Sequence, residues 1–410
     1  MSGEQTRGRH QTAGRCPVSG PSRPFPMYGY ELAADPHRMY AEMRRYGPVV
    51  PVELAPGVPA SLVLSYDAAL EVLRDPATFP KDPRRWERTV PPDCPVLPMM
   101  GYRPNALVTD GETHARFRSA INDALSRVDP LELRTYVENA ADQLLDGFAH
   151  EGEVDLHARY ARRLPQLVFT RMFGCPPDIA ERLVRGCSGI FDVGEDAGEA
   201  NRILSEAIFE LVMLKRARPG QDVASWMMAH PARLDDEEMA HQLVLLIGAG
   251  TEPQQNLIAN GVLLLLSDER FGGDLSGGNL PVEDALDEIL WTDPPAANYG
   301  ITYPVREVEL AGVRLPADQP VVISYAAANT DPSRQVGDRK GNRAHLAWSA
   351  GPHTCPAKGH ARLIASVAIE KLLDRLPEIE LAVPVEEVRW RPGPFHRALA
   401  ELPVRFPTSS

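Results

Sequence analysis

Trp348-Ser349-Ala350-Gly351-Pro352-His353-Thr354-Cys355-Pro356-Ala357-Lys358-Gly359-His360-Ala361-Arg362 is the stretch on which the reading of this chain turns. A glycine-containing turn delivers a cysteine to the mouth of a helix. That helix is predicted over residues 356–376, because Ala361, Ile364, Ala365, Ala368, Ile369, Leu372 and Leu373 recur at the spacing of one buried face. A sulfur at a helix N-terminus meets free N–H donors and the positive end of the dipole, which favours its thiolate. Such a thiolate can be a nucleophile, a redox centre or a metal ligand, and the rest of the chain must decide which.

Composition narrows the choice. The chain has 410 residues, of which 43% are hydrophobic and 24% charged. That length supports a large core, and no Pro/Gly/Ser linker divides it. The expected organisation is a disordered polar tail over residues 1–25 and a single domain over 26–410. A net charge of −13 argues against a nucleic-acid binder. The longest apolar runs, 243–247 and 262–266, are too short to span a bilayer, and no apolar signal region opens the chain, so a cytoplasmic protein without integral membrane association is expected. Cysteines 16, 94, 175, 187 and 355 show no C-x-x-C spacing, hence neither a disulfide framework nor a zinc ribbon. Cys175 and Cys187 read as small buried hydrophobes.

Along the chain, residues 36–45 and 66–75 read as short helices, with a hairpin between them over 49–53 and 61–65. Residues 80–105 are rich in proline and arginine and read as a long functional loop. The pattern is helical over about 110–270. It alternates again over 306–324, around a turn at Ala311-Gly312, and strand-like pieces fall at 379–383 and 402–406. The fold class expected is mostly α with small β-sheets assembled from both ends.

Two further segments carry chemistry. His114 and Arg118 are four residues apart in a helix opened by Asp110, so they share one face and suit a carboxylate or phosphate. A solvated charged face is the plain alternative. Residues 240–266 fit a long buried helix with Pro253 at its middle. Proline removes the hydrogen bond to the carbonyl of Ala249, and Gly248 and Gly250 flank the break. A widened turn of that kind is a pocket for water or a diatomic molecule. The run 243–250, ending Gly248-Ala249-Gly250, also imitates a strand followed by G-x-G. As a nucleotide-binding signal it is weak, since Pro253 holds the third glycine position and helical periodicity runs through.

The cysteine stretch resembles the haem-ligand loop of the cytochrome P450 family, F-G-x-G-x-H-x-C-x-G-x-x-x-A-R. Gly351, His353, Cys355, Ala361 and Arg362 match, while Trp348, Ser349 and Ala357 stand where Phe, Gly and Gly are usual. The family's D-x-x-x-H-x-x-x-R is matched by Asp110, His114 and Arg118, and Ala249, Gly250 and Glu252 match its A-G-x-E/D-T-T. The resemblance covers roughly residues 26–407 and implies the family's fold, a helix-rich haem lobe plus a smaller β lobe. It implies haem b (iron protoporphyrin IX), with Cys355 as the thiolate ligand of the iron, within a loop that includes Trp348, Gly351 and Ala357. It places His114, Arg118 and His353 on the propionates and Ala249, Gly250, Glu252 and Gln254 at the site of oxygen chemistry. It implies a monooxygenase acting on a small organic substrate with electrons from a ferredoxin-type partner. Lys358, Arg362 and Arg116 would form a basic face for that partner.

Three departures matter. Pro253 and Gln254 replace the family's two threonines, the second of which holds the water that delivers protons. Gln254 can donate and accept, so it can order water in turn. Glu288-Ile-Leu-Trp291 stands for E-x-x-R, leaving Glu288 to pair with an arginine among Arg334, Arg339 and Arg343. The arginine expected near Thr302 is missing, so propionate charge must be balanced differently. These departures, with Glu252-Pro-Gln-Gln255 and Ala344-His-Leu-Ala-Trp348, resemble a divergent actinobacterial subgroup associated with operon-encoded regulatory partners. They also support a second expectation, a haem protein with altered oxygenase activity: a peroxide-using enzyme, a sensor or a regulatory subunit.

Overall fold

In the computed structural model the helix after the cysteine turn, Lys358–Arg375, packs across a long helix, Asp236–Ser267. The structure describes residues 21, 23–191, 197–271, 282–334, 339 and 341–408. The long helix starts at a capping box, in which the Asp235 carboxylate accepts from the Glu238 N–H at 2.8 Å and the Glu238 side chain accepts from the Asp235 N–H at 3.2 Å. Its second half is buried almost all round, which places it at the centre of the molecule. The helices Arg163–Met172, Pro177–Phe191 and Val282–Thr292 pack on its sides. Leu243, Ile258, Val262, Ala365 and Ile369 sit in the core formed there.

Pro253 does not divide the long helix, which runs unbroken over Asp236–Ser267. The run 243–250 lies inside it, so the strand-plus-G-x-G reading is corrected: no strand precedes those glycines. The cysteine helix begins two residues later than the periodicity suggests, at Lys358, because Pro356 and Ala357 still belong to the turn. Cys355 therefore sits three residues ahead of the helix rather than immediately before it.

Both ends of the chain build the sheets. A five-stranded sheet runs in the order Phe25–Pro26, Val49–Glu53, Pro59–Val63, Val321–Ile323, Gly300–Thr302. The hairpin pairs Val49 with Val63, so its second strand starts two residues before the expected 61. Pro59–Val63 then pairs parallel with Val321–Ile323, Ser61 opposite Val321. Within the segment expected to be a disordered tail, residues 1–20 and 22 lie outside the described residues, whereas Phe25 pairs with Val52. Val308–Leu310 and Val313–Leu315 form the hairpin at Ala311-Gly312, both residues at positive φ (49° and 80°). A three-stranded sheet joins Pro403–Arg405 to Glu380–Leu381 and to Glu153–Asp155, a strand too short to stand out in the helical stretch around it. The loop at 80–105 contains two single-turn helices, Arg84–Glu87 and Leu97–Met100.

Candidate active site

Backbone geometry fixes the cysteine turn. Gly351 has φ +67°, and a Cβ there would stand 2.2 Å from the Leu73 carbonyl oxygen, so no other residue fits without displacing backbone. Ser349 adopts φ +61°, the left-handed region, at a position where the resemblance expects glycine. The turn closes where the Cys355 N–H donates to the Trp348 carbonyl at 2.8 Å. From the helix Gly111–Ser126, Arg118 donates through Nη2 to the Thr354 carbonyl beside the sulfur. Burial pushes the Cys355 thiol up; the Ala357 N–H, Arg118 and Lys358 pull it the other way. Desolvation therefore outweighs the helix-mouth effect in the protein alone.

The sulfur opens into a cavity of about 340 Å³. Arg118, His353 and Lys81 line it near the turn, together with Trp348, Ser349 and Ala357. His114 stands behind His353, ring centroids 4.2 Å apart, with a buried Nε2 that has no hydrogen-bond partner. His353 Nε2 lies 3.3 Å from Asp110 Oδ1. Burial pushes His114 down to about 4, helped by His353 and Arg118 and opposed by Asp110. His353 is lowered as well, again by burial first.

Lys81 is the residue that sequence patterns passed over. It is 8% exposed, its Nζ donates to the Ile301 carbonyl at 2.9 Å, and its N–H donates to Asp110 Oδ2 at 2.7 Å. Burial pushes its amine down to about 8, against a pull from Asp110. The amine thus stands beside Thr302, near which an arginine was expected. The proline-rich loop that carries Lys81 was the one available signal.

The long helix lines the same cavity. Ala249, Gly250, Pro253 and Gln254 line the cavity there. Gly250 is small for a packing reason, since a Cβ would meet Phe169 Cζ at 2.4 Å. Gln254 donates through Nε2 to the Ala361 carbonyl at 3.1 Å, tying the two central helices together. Glu252 stands apart from the site of oxygen chemistry at which the resemblance placed it. Its carboxylate is 2% exposed, is not part of the cavity wall, pairs with Arg391, and accepts from Gln255 Nε2 at 2.6 Å. Thr251 spends its hydroxyl on the Ile247 carbonyl at 2.8 Å.

The Glu-x-x-Trp helix holds its own partners. Of the three arginines considered, Arg339 reaches Glu288 at 3.4 Å, and Arg270, which was not considered, does so at the same distance. Arg334 pairs with Asp67, while Arg343 lies 3.6 Å from Glu283 and 3.7 Å from Asp287. The Trp291 indole donates to the Asn342 carbonyl at 2.7 Å, and Arg339 lies 5.8 Å above its ring. The expected basic face is reduced, because Arg362 is engaged by Asp287 and Glu283 and Arg116 by Glu238, while Lys358 is exposed. Buried Cys187, held up to about 12 by desolvation, lines the cavity, and Cys175 is raised likewise.

No protein-family model matches the chain. Individual proteins do. It is 31% identical over 393 residues to the cytochrome P450 monooxygenase PikC of Streptomyces venezuelae, covering 92% of each chain. It is 30% identical over 386 residues to the vitamin D(3) 25-hydroxylase of Pseudonocardia autotrophica, covering 90% of this chain and 93% of that one. Among solved structures, CYP154C4 from Streptomyces sp. W2061 superposes with a TM-score of 0.85 at 27% identity, covering 93% of this chain and 97% of that one. No helix among the described residues is long and apolar enough to cross a membrane.

Proposed function

Since the chain belongs to the cytochrome P450 family, we propose that its cavity is the chamber of a haem-thiolate monooxygenase, with Cys355 as ligand to the iron, a small organic molecule as substrate, and a ferredoxin-type protein as electron donor. The observation that carries this reading is that one cavity is lined both by Cys355 and by Ala249, Gly250 and Gln254 of the long helix. The cofactor of the enzyme is haem b, and the residues present fit it. His114 offers an orphaned Nε2, and Arg118, His353 and Lys81 cluster where two propionates need cationic or donating groups. Bound haem supplies the reduction of O2 and the transfer of one oxygen atom.

The chain supplies ligation, orientation and protons. The Ala357 N–H donates to the sulfur and Arg118 braces its loop, so the ligand's charge is set by a fixed turn. Gln254 Nε2 is committed to Ala361, which leaves Oε1 at the cavity wall to accept from a water and orient its proton toward the groove. The apolar walls, among them Phe169, Leu245 and Leu257, bind a hydrophobic body and exclude bulk water.

One observation favours the second reading, in which reduced oxygen escapes as peroxide. The Glu252 carboxylate is bound to Arg391 and Gln255, and no hydroxyl stands at position 254. The test is peroxide released per NADPH consumed, with ferredoxin and its reductase. Gln254→Thr is expected to lower that ratio about tenfold, a fraction of the roughly 10²–10⁴-fold that a positioned proton donor can contribute. An unchanged ratio would remove Gln254 from proton delivery. Near-complete conversion of reducing equivalents into peroxide in both proteins, with no oxidised product, would favour the non-oxygenase reading.

A further inference from the structure

Three cationic side chains line the cavity, and one of them keeps different company. Lys81 and Arg118 are gathered with Asp110, His353 and the cysteine turn. Arg103 lies in the loop after Leu97–Met100 and is partly buried. Its Nη2 donates to the Pro98 carbonyl at 3.2 Å and to Asn201 Oδ1, on the helix Ala197–Ala217, at 2.7 Å. Its Nε and Nη1 make no hydrogen bond among the described residues, and no described carboxylate pairs with it. The groups that act on it are Tyr299 and Cys187, both neutral at physiological pH. The nearby imidazole of His241 is also neutral, held down to about 4 by burial and by Arg103 itself.

A guanidinium withdrawn from water without a counter-charge is costly, and Arg103 is lowered from its ordinary value by that desolvation. The arrangement makes sense if the missing anion arrives with the ligand. The same cavity is lined by Gly250 and Gln254 and by apolar side chains, among them Val244, Leu245, Leu204 and Phe173. We propose that Arg103 is a substrate-binding residue for an amphipathic acid, its guanidinium holding a carboxylate while the apolar body extends toward the cysteine side of the cavity. The proposal rests on the reading of the cavity as a haem and substrate chamber. The planar fork of arginine suits a carboxylate, and Asn201 and the Pro98 carbonyl hold that fork in place before binding.

The experiment uses haem-loaded protein and isothermal calorimetry with three matched pairs: dodecanoate, deoxycholate and 2-naphthoate, each against its methyl ester. For at least one skeleton the acid is expected to bind about tenfold more tightly than the ester, the scale of a charge-assisted hydrogen bond. Arg103→Gln is expected to abolish that preference, and Arg103→Lys to keep part of it. Equal or tighter binding of the esters in all three pairs, no binding by any acid, or an acid preference that survives in Arg103→Gln would overturn the proposal. Both variants should keep the red-shifted ferrous–CO band, which verifies their fold and haem ligation. Absence of that band from the unaltered protein would instead sink the haem-thiolate reading, whatever the ligands do.

Discussion

At the scale of single residues, Lys81 shows how a charge lost at one place in the sequence reappears from another. The family arginine expected near Thr302 is absent, and a lysine from a distant loop brings its amine to the carbonyl of the adjacent Ile301. Its placement favours haem and disfavours the haem-free chain. Burial lowers the amine from 10.5 to about 8, so below about pH 8 the haem-free fold bears the whole cost of charging it, on the order of 3 kcal/mol. Between about pH 8 and 10.5 the unfolded chain binds more protons than the folded one, so stability rises with pH across that window. Lys81→Met should therefore raise the melting temperature of the haem-free protein at pH 7, with the gain shrinking by pH 10. The same substitution should speed haem transfer to apomyoglobin several-fold, because a propionate loses its cation. A transfer rate equal to that of the unaltered protein would show that Lys81 does not hold the cofactor.

At the scale of elements, the helix Val282–Thr292 carries the departure that sequence flagged most clearly, and the structure shows how it is accommodated. A tryptophan at position 291 cannot pair with Glu288, so Glu288 turns to Arg339 and Arg270. The indole takes over the tie to the following segment through the Asn342 carbonyl, with Arg339 above it and the His345 ring edge-on at 5.8 Å. Trp291→Phe should keep most of the apolar contact but orphan that carbonyl, lowering stability to denaturant by about 1–3 kcal/mol. No change in the denaturation midpoint would mean that the indole N–H does not anchor the segment. The family resemblance located this helix, and the cost of an unpaired carboxylate named Arg339 among three candidates. It could not choose among them, because pairing depends on where the 339–346 segment is laid down. Arg270 lies just past the end of the long helix, and no local pattern connects it with residue 288. The expected basic face failed for a related reason. Spacing reveals that Arg116 and Arg362 are cationic, but the acids that consume them, Glu238, Glu283 and Asp287, come from other helices.

At the scale of the whole molecule, the helix-rich architecture was legible because its central helices carry strong apolar periodicity and the turn at Gly351 carries a specific motif. The sheets were legible where alternation is local, as at 49–53 and 308–315. They were not where a three-residue strand such as Glu153–Asp155 owes its existence to a partner some 250 residues away. The same division applies to the cavity. Cys355, His353, Arg118, Ala249, Gly250 and Gln254 come from segments that announce themselves. Lys81 and Arg103 come from loops whose course only the folded chain reveals, and Glu252 turns away from the cavity to meet Arg391 of the C-terminal segment. All of these assignments depend on the sulfur of Cys355 binding iron, and the ferrous–CO difference spectrum is the most direct measurement of that bond. The unaltered protein should show the red-shifted band of thiolate ligation, and Cys355→Ala should lose it. A haem-loaded protein lacking the band, or a Cys355→Ala variant retaining it, would contradict the account.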